Sequence, residues 1–177
     1  MESNIAKQLA YDLHSNQKYG KDLPYSVHLD MVNITCLRYA AYYFPNKDEF
    51  LDVVAACFLH DTLENCNITY NDLRDFSSEN IADIVYCVTN ELGKSREERY
   101  SRTYPKIKSN RFAVFVKLCD RIANTLFSLT TENYWKNMYG YSVFIPFKEA
   151  LYTPGQYEEM WAELEMLSKI KLKSYCI

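Results

Sequence analysis

Apolar residues recur at helical spacing along nearly the whole chain. The first such stretch covers roughly residues 3–17. A segment holding Gly20 and Pro24 interrupts it at 18–27 and reads as a loop. From Val27 to Phe44, Leu29, Val32, Cys36, Tyr39, Ala40 and Tyr43 fall on one helical stripe, and Pro45 ends it. Asn46 with Glu49 three residues later is a capping box that opens the next helix, predicted over 47–63. That helix is apolar at its centre, with Asp52 its lone charge there, so it is expected to be the buried middle helix. Shorter helices are predicted near 69–76 and 78–91, and Ser95 with Glu98 opens another at 95–104, with Pro105 beyond it. Residues 110–130 form a long apolar helix, and a helix near 134–151 is expected to be disturbed by Pro146. Thr153, Pro154 and Gln156 fit N-cap, N1 and N3 of a last helix. No segment shows the two-residue alternation of a strand. The pattern therefore predicts an all-α single domain, a bundle of about eight or nine helices spanning residues 1–177.

Composition sharpens this in three respects. The chain has 177 residues, enough for one domain with its own core. A net charge of −3 argues against a nucleic-acid-coating protein, and no apolar run of about 18 residues predicts a membrane span. The N-terminal residues lack the charged-then-apolar layout of a secretion signal. Cys36, Cys57, Cys87 and Cys119 fall inside apolar helical stretches, and no pair is spaced CxxC. The six cysteines, with Cys66 and Cys176, are therefore expected to be reduced and the protein cytoplasmic.

Four polar residues sit where the pattern predicts a dry core. His28 begins the second helix, His60 and Asp61 end the most apolar one, and Asp120 follows the run FAVFVKLC. An unpaired buried carboxylate is very costly, so two imidazoles and two carboxylates converging from three helices call for a cation. Histidine and aspartate without cysteine suit Mn, Fe, Co or Mg better than a structural zinc. The stretch 94–108 is rich in cations, among them Lys94, Arg96 and Arg99. It is either a solvated face or a phosphate-binding arm, for which the planar guanidinium is well suited. Arg121, beside Asp120, is a further candidate.

HLDMV at 28–32, FLHDTLEN at 58–65 and VKLCDRIAN at 116–124 resemble the H…HD…D signature of HD-domain phosphohydrolases. PYSVH at 24–28, the HDTLEN segment, IADIVYCVTNE at 81–91 and KLCDRIAN are similar to segments of the small stand-alone Rel/Spo-type (p)ppGpp hydrolases. The resemblance covers about residues 5–130. It implies that His28, His60, Asp61 and Asp120 hold a divalent metal, most often Mn²⁺. It implies that Glu64 orients or deprotonates the attacking water, that Asn124 contacts the nucleotide, and that Lys21 and Tyr25 lie in the substrate-entry loop. His14 and Gln17 match a pair with a structural role.

Two departures stand out. The family has Glu-Asp after HDTx, whereas here Glu64 is followed by Asn65, which cannot accept a proton but can position a water through its amide oxygen. The family's Arg-Lys pair before PYxxH is reduced to Lys18 and Lys21. The expected activity is metal-dependent hydrolysis of a small nucleotide, with the 3′-pyrophosphate of (p)ppGpp the best substrate. The alternatives are another nucleotide (a dNTP, a cyclic dinucleotide or NADPH), or a sensor or sponge that binds nucleotide without cleaving it.

Overall fold

The computed structural model describes residues 1–130 and 139–170. Helices α1 (Ser3–Leu13), α2 (Ser26–Tyr43), α3 (Lys47–Leu59), α4 (Thr62–Asn65), α5 (Tyr70–Phe76) and α6 (Glu79–Val88) come first. They are followed by α7 (Arg96–Lys108), α8 (Arg111–Thr130), α9 (Tyr141–Leu151) and α10 (Glu158–Lys169). The architecture is all-α. Several of its helix starts are set by side chains that accept from otherwise unpaired backbone N–H groups. Asn46 accepts from Asp48 and Glu49, Thr69 and Asp72 form a reciprocal capping box, Ser78 accepts from Ile81, and Ser95 accepts from Glu98.

Helix α3 is the centre, as its composition predicts. Val53 through Leu59 are all buried, and the helix packs on α1, α2, α6 and α8. Helix α8 supplies the other half of the core and lies against α2 on one side and α10 on the other. Cys36, Cys57 and Cys119 are buried in that core as free thiols, and Cys66 and Cys87 are also unpaired. No helix among the described residues is long and apolar enough to cross a membrane.

The structure corrects the predicted pattern at several points. Helix α1 ends at Leu13 rather than near 17, because the chain turns into a two-stranded antiparallel ribbon, β1 (Lys18–Tyr19) and β2 (Leu23–Pro24). Two residues per strand are too few for any alternation to register. Gly20 turns this ribbon at φ 63°, and a Cβ there would lie 2.9 Å from Phe127 Cζ, so the turn sits directly on α8. The helix expected over 47–63 breaks after Leu59, where Thr62 Oγ1 donates to the Leu59 carbonyl at 2.7 Å. His60 and Asp61 occupy that break.

Pro105 lies inside α7 and Pro146 inside α9. Both occupy exposed positions, where water can replace the missing donor. The last helix starts at Glu158, with the cap position held by Tyr157 at φ 57°, so Thr153 is not its N-cap. Tyr157 takes this conformation because its ring is buried against Tyr43, Phe44 and Phe115, while its hydroxyl donates to the Arg111 carbonyl. Of the helix expected over 134–151, residues 134–138 lie outside the described residues and the rest begins at Tyr141.

Candidate metal centre and substrate cavity

Three chain segments converge on one point. His28 comes from the first turn of α2, His60 and Asp61 from the α3–α4 break, and Asp120 from the middle of α8. His28 Nε2 and His60 Nε2 face each other at 3.2 Å. Asp61 Oδ2 lies 3.1 Å from His60 Nε2 and 3.5 Å from His28 Nε2. Asp120 Oδ1 lies 3.5 Å and 3.8 Å from the same two nitrogens. Donor atoms of His28, His60 and Asp120 all fall within 4.8 Å of one another.

The donor set fits a divalent ion. His60 Nδ1 is 2.9 Å from the Cys57 carbonyl, which makes Nδ1 the protonated nitrogen and leaves Nε2 as a lone pair aimed at His28. Two nitrogens sharing one ion at about 2.0–2.1 Å stand roughly 3 Å apart, close to the separation found. Among the described residues His28 Nδ1 is a buried polar atom with no hydrogen-bond partner, so the ring is placed by what its Nε2 faces. Without a cation, protons must balance the carboxylates. Burial opposes charge on His60, yet Asp61 and Asp120 carry the imidazole up to about 9. Burial likewise favours neutral Asp61, but the two imidazoles hold it well below the usual carboxylate range.

The outer supports are specific. Tyr25 Oη donates to Asp61 Oδ2, and Asn65 Nδ2 donates to Tyr25 Oη at 3.3 Å. Burial, then the charge of Asp61, push the Tyr25 phenol far above its usual range, so it stays a donor. His14 stacks on Tyr25 at 4.6 Å between ring centres and pairs through Nδ1 with Gln17 Oε1 at 2.9 Å. Gln17 in turn donates to the Asn65 carbonyl at 2.7 Å, so the His14–Gln17 pair braces the site from behind. On the far side, Asn124 Nδ2 donates to Asp120 Oδ1 and Tyr19 Oη donates to Asn124 Oδ1 at 2.9 Å. Lys117 Nζ takes the other carboxylate oxygen of Asp120 at 2.9 Å. Burial works against its charge, but Asp120, Asp61 and Glu64 outweigh that and hold the ammonium above its ordinary value.

His28, Asp61 and Asp120 of the cluster line a cavity of about 590 Å³. Of the expected substrate residues, Tyr25, Arg96, Arg99, Arg121 and Asn124 line it, as do Glu64 and Asn65. Lys21 and Lys94 do not: both are exposed outside it, and Lys18 stands on the ribbon wall instead. The remaining cations of the 94–108 stretch divide. Arg102 is engaged by Glu98 and the Leu92 carbonyl, and Lys106 by Glu91, away from the cavity. Arg96 Nε donates to Tyr100 Oη at 2.8 Å, and Tyr100 stacks on Tyr104, giving the cationic wall an aromatic backing. Arg121 packs over Phe147.

Sequence reasoning missed Lys117, Asn90 and Tyr19. Lys117 had a legible signal, three residues before Asp120 on one helix. Asn90 had none, because its partner Glu64 is 26 positions away in sequence. Glu64 lies one residue past the helix predicted over 47–63. It belongs to the single turn α4, and its carboxylate accepts from Asn90.

No family model matches the chain. A curated relative, the guanosine-3′,5′-bis(diphosphate) 3′-pyrophosphohydrolase of Aquifex aeolicus (strain VF5), is 27% identical over 128 residues. That match covers 70% of this chain and 17% of the relative, so the chain spans about a sixth of the relative's length. A solved structure, described as a metazoan ortholog of SpoT that hydrolyzes ppGpp and plays a role in starvation responses, superposes with a TM-score of 0.75. The two are 18% identical, and the match covers 93% of this chain and 92% of the other. This chain has the Rel/Spo-type HD hydrolase fold. In this fold His28, His60, Asp61 and Asp120 meet at one point.

Proposed function

We propose that the chain is a metal-dependent phosphohydrolase that removes the 3′-pyrophosphate of (p)ppGpp, with Mn²⁺ the ion at its centre. The observation that carries this is the pairing of a buried His28–His60–Asp120 group, with Asp61 beside it, and a set of arginines that line one 590 Å³ cavity with it. Its carboxylates would suit a divalent cation and its arginines suit phosphates, so the cavity fits a polyphosphate nucleotide.

His28, His60, Asp61 and Asp120 would hold the ion. When bound it acidifies a water and polarises a phosphoryl oxygen. The chain's own groups do the rest. Glu64 takes the proton of the attacking water, whose oxygen bonds to the phosphorus on the nucleotide's 3′-oxygen. The bond from that phosphorus to the 3′-oxygen breaks, the 3′-oxygen takes up the proton that Glu64 accepted, and pyrophosphate and GDP or GTP are released. Lys117 and Arg121, beside Asp120, face the charge that builds on the phosphoryl oxygens. Arg96 and Arg99 hold the nucleotide's remaining phosphates. Tyr19, Tyr25 and Asn124 fix the walls between which the nucleoside sits.

The test is turnover of a panel of guanine and adenine nucleotides with Mn²⁺, with products identified. Release of pyrophosphate from ppGpp at the highest kcat/KM of the panel supports the proposal. Faster hydrolysis of a dNTP, a cyclic dinucleotide or NADPH would reassign the substrate. A second reading has one observation in its favour: Asn65 stands where the family has aspartate, and its amide is engaged with Tyr25. On that reading the protein is a nucleotide-binding module, and single-turnover assays would show binding without product.

A further inference from the structure

We propose that Asn90 is a positioning residue that aims Glu64 at the attacking water. This rests on the reading above, in which Glu64 takes that proton. Among the described residues, every hydrogen bond to the Glu64 carboxylate comes from Asn90. The Asn90 backbone N–H donates to Oε2 at 3.1 Å, and its side-chain Nδ2 reaches Oε1 at 3.0 Å and Oε2 at 3.1 Å. Glu64 itself is exposed and sits on a helix of a single turn, so its own element does little to choose a rotamer. A carboxylate offers about four lone-pair directions, so with both oxygens fixed by the Asn90 amide groups it still keeps acceptor capacity toward the cavity that Glu64 lines.

Asn90 is itself firmly placed. It follows directly on Thr89, the cap of α6, whose N–H donates to the Val85 carbonyl at 3.1 Å. The next residue is tied to α7: Glu91 N–H donates to Thr103 Oγ1 at 2.9 Å, and its carboxylate pairs with Lys106. Three residues on, Gly93 approaches α7 so closely that a Cβ there would lie 2.8 Å from the Arg99 nitrogen. The same α7 carries Arg96 and Arg99. Asn90 is thus the joint between the helix that faces phosphate and the carboxylate that faces water, and it sets their spacing. Geometry of this kind is where small displacements cost rate.

The assay is steady-state hydrolysis of ppGpp with Mn²⁺ by Asn90→Ala, Asn90→Asp, Glu64→Gln and the double variant Asn90→Ala/Glu64→Gln. Metal content and melting temperature are measured for each. Asn90→Ala keeps the backbone donor and is expected to lower kcat about ten-fold, with KM and Mn²⁺ affinity within about two-fold. Asn90→Asp keeps the shape but sets a carboxylate against Glu64, and is expected to lower kcat about a hundred-fold. In the Glu64→Gln background, Asn90→Ala should cost nothing further, because the group it positions is gone. A full ten-fold loss in that background would show a merely structural role and overturn the proposal. So would Asn90→Ala at the wild-type rate beside an impaired Glu64→Gln, which leaves the role of Glu64 intact. If Glu64→Gln keeps the wild-type rate, the assignment of Glu64 fails and this proposal falls with it. Should Asn90→Asp not fold, the Asn90→Ala cycle decides alone.

Discussion

Replacing Asn65 by aspartate tests how the metal centre is held. In the wild-type chain the Asn65 amide donates to Tyr25 Oη at 3.3 Å, and the single proton of that hydroxyl goes to Asp61. Aspartate has no donor. Two carboxylates would then flank one hydroxyl, and only one can receive its proton. The lost hydrogen bond is worth about 0.5–1.5 kcal/mol. The new charge would face Asp61 across the hydroxyl at ~5 Å, a repulsion of about 3 kcal/mol at an effective dielectric constant of ~20. His28, His60 and Lys117 offset part of this, so the metal-free protein should lose about 1–3 kcal/mol. At ~2–4 °C per kcal/mol for a chain of this size, its melting temperature should fall by roughly 3–10 °C.

A bound divalent ion reverses the sign, because the added carboxylate attracts it. Mn²⁺ should therefore bind Asn65→Asp about ten- to a hundred-fold more tightly, one factor of ten for each 1.4 kcal/mol. The assay is a thermal melt in chelator and in Mn²⁺, joined to a calorimetric titration of the ion. Equal melting temperatures of variant and wild type in chelator, with equal Mn²⁺ affinity, would refute the claim that the Asn65–Tyr25–Asp61 chain supports the centre. The acid and base roles could then be shared by two carboxylates, and the chemical step on the true substrate should quicken.

Other perturbations have equally definite outcomes. His60→Ala and Asp61→Ala should each abolish Mn²⁺ binding by calorimetry together with turnover, and retained binding in either would remove that residue from the ligand set. Glu64→Gln should keep the metal while lowering kcat by ~10² or more, the usual scale for a general base. Gly20→Ala should destabilise by about 1–2 kcal/mol in urea unfolding, since alanine resists φ 63° and its methyl meets Phe127; an unchanged midpoint would show that the ribbon turn yields freely. Burial holds the His14 imidazole below its ordinary value of 6.5. The fold thus favours the neutral ring, so this contribution is whole above pH ~6.5 and is lost as pH falls below it. His14→Gln should flatten the dependence of melting temperature on pH below about 6.5, and an undiminished slope would assign it to other groups.

The all-α class and most helix positions were legible in the sequence, because an amphipathic stripe and its caps are local features. Asn46 and Ser95 cap helices a few residues away, and the apolar run of α3 identifies a helix that can only be interior. The four candidate metal residues were legible for a related reason: each stands in or directly at the end of a stretch that reads as an apolar helix, where burial without a partner would be prohibitive. What lay beyond the sequence depended on residues distant along the chain. Thr62 breaks α3 by taking the Leu59 carbonyl, and no periodicity records that competition. Thr153 had the right neighbours for a cap, but burial of the Tyr157 ring moved the start of α10 to Glu158. Which cations of α7 face the cavity was undecidable from a charge run. Glu98 and Glu91 draw Arg102 and Lys106 to the outside, while Arg96 and Arg99 turn inward. The clamp of Asn90 on Glu64 exists because α4 and the end of α6 pack together, so only the tertiary structure could decide it.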